Sequence, residues 1–81
     1  LNEPQWAANL CSQALKLDAE NSQAYYQLAR AYTRLEMHDE AIQSLQQAIR
    51  FTESYRGELE GDEALKPLND LPEFQKLLVG T

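Results

Sequence analysis

The chain has 81 residues, a formal net charge of −6 from thirteen acids against seven bases, and 43% hydrophobic residues, enough for one small domain with a modest core. The acidic excess repels a phosphate backbone and an anionic bilayer, and no apolar run approaches the roughly 20 residues of a membrane span. Nucleic acid and membrane are therefore disfavoured as partners. Glycine and proline are scarce, at three each, and β-branched residues are too few for a sheet, so the expected class is all-α. A single cysteine, Cys11, excludes an internal disulfide framework. No signal peptide is visible, and the opening Leu1 leads to the expectation of a piece cut from a longer protein.

The first predicted helix covers residues 5–17, with Pro4 suited to its start and Ala7, Leu10, Cys11 and Ala14 on one face. Asp18-Ala19-Glu20-Asn21 forms a turn, and Asn21 is the predicted N-cap of the next helix. That helix runs from Ser22 to about Leu35 and aligns Tyr25, Leu28, Ala29 and Tyr32. Glu36-Met37-His38-Asp39 makes a tight connection. A third helix follows from about Asp39 to Phe51 or Thr52, carrying Ala41, Leu45 and Ala48. Its first turn holds Asp39 and Glu40 and its last holds Arg50, which complements the helix dipole. Small residues at Ala29, Ala41 and Ala48 let two backbones approach closely while the larger ones fill the gaps, the makings of an antiparallel hairpin.

Beyond it, Thr52 is expected to cap a short helix through about Glu60, stopped by Gly61. Asp62 to Leu68 reads as one helical turn before a loop, because Pro67 disfavours helix at Lys66. Asp70-Leu71-Pro72-Glu73 opens a last helix with Phe74, Leu77 and Leu78 on its apolar face and Gly80 at its end.

An offset of 34 residues aligns Ala7 with Ala41, Cys11 with Leu45, Gln13 with Gln47 and Ala14 with Ala48. Residues 5–17 thus repeat the second helix of the hairpin. The same offset forward fails, placing Asp62, Glu63 and Lys66 on Leu28, Ala29 and Tyr32. A repeated unit buries its apolar face only against neighbours, so the outer flank of residues 5–17 is uncovered. Trp6 and Leu10 are the candidate exposed residues there, covered by upstream repeats or by a second copy in a homodimer.

The spacing of Tyr25, Leu28, Ala29, Tyr32, Ala41, Leu45 and Ala48 resembles the tetratricopeptide repeat (TPR). Glu36 and Ala19 depart from it, standing where the family often has Gly and Pro. Leu65, Leu68, Pro72, Phe74, Leu77 and Leu78 resemble the closing cap of many such proteins. The resemblance implies antiparallel helical hairpins of a right-handed α-solenoid: half a repeat at 5–17, a complete one at 22–55 and a C-terminal cap at 56–81. It also implies a protein–protein interaction scaffold that takes a peptide or protein partner on its concave face. The positions not used for packing, and so expected to face that groove, are Gln23, Tyr26, Gln27, Arg30, Thr33 and Arg34. A clamp for a partner's terminal carboxylate is not supported, because Gln23 and Gln27 stand where basic residues would be needed. The alternative is a structural segment that terminates an array or self-associates and has no ligand of its own.

Catalysis is not expected. His38 is the one histidine and Cys11 the one thiol, they fall on different hairpins, and the neighbouring His38 and Asp39 lack a third partner. One His and one Cys cannot close a four-ligand metal site, and no cofactor is implied.

Overall fold

A computed structural model describes residues 3–79 of the chain, with side chains from Gln5 onward. The order is α1 (Glu3–Leu17), α2 (Ser22–Arg34), α3 (His38–Phe51), a 3-10 turn (Glu53–Tyr55), α4 (Arg56–Leu59), a 3-10 helix (Glu63–Leu68) and α5 (Pro72–Val79). No strand occurs among the described residues. The expected end of the last helix at Gly80 lies outside them.

Asn21 caps α2 as expected, its side-chain oxygen accepting the Ala24 N–H at 3.1 Å. At the other end, Glu36 takes a left-handed φ of 62°. The Met37 N–H then reaches the Tyr32 carbonyl at 2.9 Å, and the Glu36 N–H reaches Thr33 at 3.1 Å. This pair of bonds is a Schellman closure, so Glu36 performs a glycine's task while carrying a Cβ. Position 36 is therefore strained by its side chain, not by its turn.

The hairpin of α2 and α3 closes on Ala29, Ala41, Leu45 and Ala48, all fully buried. The same core then extends into the C-terminal segment, taking in Leu59, Leu65, Leu68 and Phe74. Each fully buried side chain of that size contributes about 1.5–3 kcal/mol relative to exposure. Residues 53–79 are thus part of the hairpin's core. A second cluster of Ala8, Leu28 and Ala31 holds α1 against α2.

Three local expectations are corrected. Thr52 makes no side-chain cap; its hydroxyl bonds the Ser22 hydroxyl instead, tying the end of α3 to the start of α2. The following segment is a 3-10 turn leading into α4, which ends at Leu59, not one helix to Glu60. Pro67 does not break the next segment into a loop, because it sits inside a 3-10 helix that continues to Leu68. The fixed φ of proline, near −65°, falls within the 3-10 range and so costs little there. Arg56 grips Glu53 through two N–H groups, at 2.7 and 3.1 Å, and donates a third to the Leu77 carbonyl at 2.9 Å. That fork binds α4 to α5.

Candidate functional site

One strip of α2 faces the stretch from Tyr55 to Asp62, and between them lies a cleft of about 490 Å³. Gln23, Tyr26, Gln27 and Arg30 form one wall; Tyr55, Gly57, Glu58, Gly61 and Asp62 form the other. Helical spacing explains the first wall, since residues 23, 26, 27 and 30 lie one turn apart along one strip of α2. The second wall runs from Tyr55 through α4 and the turn at Gly61 to Asp62, whose backbone is extended.

The two walls are joined by Asp62. Its Oδ2 accepts the Tyr26 hydroxyl at 2.7 Å and lies 3.6 Å from Arg30 Nε, while its Oδ1 accepts the Ala64 N–H at 2.9 Å. The Tyr26 ring stacks on Tyr55 with centroids 4.8 Å apart. Burial first, then the hydrogen bond to Asp62 and the negative charges of Asp62 and Glu58, push the Tyr26 phenol well above its ordinary range. It stays neutral and donates.

The six groove residues expected from position counting separate into two groups. Gln23, Gln27 and Arg34 are exposed and Arg30 is half-buried. Arg30 also reaches Gln27 Oε1 at 3.5 Å, so the two side chains lie together at the cleft. Tyr26 is only 5% exposed, and Thr33 is buried with its hydroxyl donated to the Ala29 carbonyl at 2.8 Å. Neither offers a free surface. The residues that position counting missed are those of the opposite wall, Tyr55, Gly57, Glu58, Gly61 and Asp62. The failed forward offset at Asp62 was the available signal, since a residue that does not repeat a packing position is free for another use.

On α1, Trp6 is 66% and Leu10 50% exposed. Leu10, Cys11 and Ala14 with Asn21, Gln23, Ala24 and Gln27 line a smaller notch of about 250 Å³ between α1 and α2. Burial pushes the Cys11 thiol up from its ordinary value, away from thiolate chemistry. His38 is the first residue of α3 and is half-buried. No group of three or more His, Cys, Asp or Glu is placed to hold a metal among the described residues. No described helix is long and apolar enough to cross a membrane.

A family model, the tetratricopeptide repeat, matches residues 2–54, which is α1 together with the α2–α3 hairpin. No curated protein and no solved structure matches the chain. Repeats of this kind generally mediate protein–protein contact and are typically non-catalytic. With its 34-residue internal offset, its alanine-lined hairpin and that match, the chain belongs to the tetratricopeptide repeat family.

Proposed function

We propose that this chain is a protein-interaction module that holds a peptide segment of a partner in the cleft between α2 and residues 55–62, without turnover. The carrying observation is the convergence of Gln23, Gln27 and Arg30 on one cleft of about 490 Å³ whose second wall is a separate part of the chain. Exposed amides donate and accept, and so match the alternating polar groups of an extended backbone. In this reading α1 is the second helix of a repeat, residues 22–55 are a complete one, and residues 56–81 close its open side. The end of the family match at residue 54 supports that division. A Gln23→Ala, Gln27→Ala double variant should keep its helical circular dichroism and lose capture of the partner. Undiminished capture would remove the reading.

A second reading is favoured by the exposure of Trp6 and Leu10 beside the notch between α1 and α2. Here the segment serves as a structural end-piece, or pairs with a second copy through that flank. Sedimentation of the wild type and a Trp6→Glu variant separates the two. A mass that rises with concentration in the first and not the second supports pairing, and a concentration-independent monomer in both removes it.

A further inference from the structure

Gly57, inside α4, and Gly61, just beyond its end, both line the cleft. Neither takes the left-handed conformation that calls for glycine, and a Cβ built on either meets nothing within 4 Å. Gly57 lies inside α4, where glycine weakens a helix relative to other residues, and Gly61 follows the helix in a turn that takes no left-handed φ. Neither backbone conformation nor internal packing requires them. Their effect is to leave one wall of the cleft as bare backbone, where another chain can approach more closely than any side chain would allow.

The charge of the cleft narrows what approaches. Asp62 is occupied by Tyr26, Arg30 and the Ala64 N–H, and Arg30 lies against Asp62 and Gln27. Among the described residues Glu58 makes no ion pair, and it is exposed at the cleft between the two glycines. The unbalanced charge of the site is therefore negative, and the surrounding segment, residues 53–81, carries seven acids against three bases. We infer that the partner segment is an extended peptide bearing a lysine or arginine, its backbone laid against Gly57 and Gly61 and its cation paired with Glu58. This rests on the peptide-binding reading above and adds the partner's chemistry to it.

The test uses the whole 81-residue chain and three end-capped fluorescent peptides of about nine residues, roughly 30 Å when extended. One alternates lysine with alanine, one glutamate with alanine, one glutamine with alanine. Fluorescence anisotropy at physiological salt should show the lysine peptide binding most tightly, by about tenfold over the glutamine peptide. Gly57→Val with Gly61→Val should weaken it about tenfold, and Glu58→Gln severalfold, with Glu73→Gln as a control of equal charge change on α5 that leaves affinity unchanged. Should the valine pair disturb folding, Gly57→Ser with Gly61→Ser gives the same readout with a smaller side chain. Equal losses for Glu58→Gln and Glu73→Gln would overturn the inference, since the attraction would then be unspecific. Tighter binding of the glutamate or glutamine peptide, abolished by Gln23→Ala with Gln27→Ala, would overturn the basic preference and leave the peptide reading standing. Binding of none of the three would overturn both.

Discussion

Tyr26 and Asp62 are 36 positions apart in the chain, yet the phenol donates to the carboxylate at 2.7 Å and bridges the two walls of the cleft. The same carboxylate caps the 3-10 helix that follows and lies beside Arg30. One acidic side chain thus sets how the C-terminal segment sits on α2. Removing it breaks three contacts at once. Asp62→Ala should lower unfolding stability by about 2–3 kcal/mol and Tyr26→Phe by about 1–2 kcal/mol, measured by urea denaturation. The double variant should lose less than the sum, because both changes delete the same bond. Strict additivity would show the bond contributes nothing.

The same pair governs behaviour in alkali. The folded-state pKa of Tyr26 is raised, so folding favours its neutral form. Its contribution is fully present below the ordinary tyrosine value of about 10 and is lost as pH climbs from there through the folded value. Stability should therefore fall above about pH 10, and Tyr26→Phe should flatten that fall. Of the four tyrosines, one should ionise last in an ultraviolet titration and vanish from it in the variant. A late-titrating tyrosine that persists in Tyr26→Phe would contradict this.

Glu36 carries a Cβ at φ 62°, where the Schellman closure favours glycine. Glu36→Gly relieves that strain, set against the greater freedom glycine gives the unfolded chain. The net gain should be about 0.5–1 kcal/mol, and the melting temperature should rise by a few degrees. A lower melting temperature would mean that Glu36 makes compensating interactions in solution.

Phe74 is fully buried and shares its cluster with Leu45, Leu59, Leu65 and Leu68. Phe74→Leu should cost about 1–2 kcal/mol and shift one cooperative transition, seen together in the helical signal and in tyrosine fluorescence. Two separated transitions would mean that residues 53–79 fold apart from the hairpin. Phe74→Ala, at about 3–5 kcal/mol, should come close to unfolding a domain of this size.

The helices were legible wherever periodicity and capping agreed. Asn21, the Ala29/Ala41/Ala48 contact and the apolar face of Phe74, Leu77 and Leu78 follow from local spacing, and the structure places each in that role, with Phe74 buried and the two leucines half-buried against the same core. What escaped was tertiary. Counting along α2 assigns Tyr26 to an open groove, because position alone carries no record of a segment 30 residues later folding over that side. Thr33 escaped for a different reason: its short hydroxyl satisfies itself on the Ala29 carbonyl and can then be buried. Glu36 shows the converse, a residue with a Cβ that takes the left-handed φ a glycine would take and carries the cost as strain.

The central claim is that α2 and residues 55–62 form one binding cleft. The most direct measurement is a backbone amide NMR titration of the chain with the lysine–alanine peptide. Shifts should concentrate at Gln23, Gln27, Arg30, Gly57, Glu58 and Gly61. Shifts confined to Trp6, Leu10 and Ala14, or to Tyr25, Gln43 and Gln47 in the separate groove between α2 and α3, would contradict a single binding cleft there.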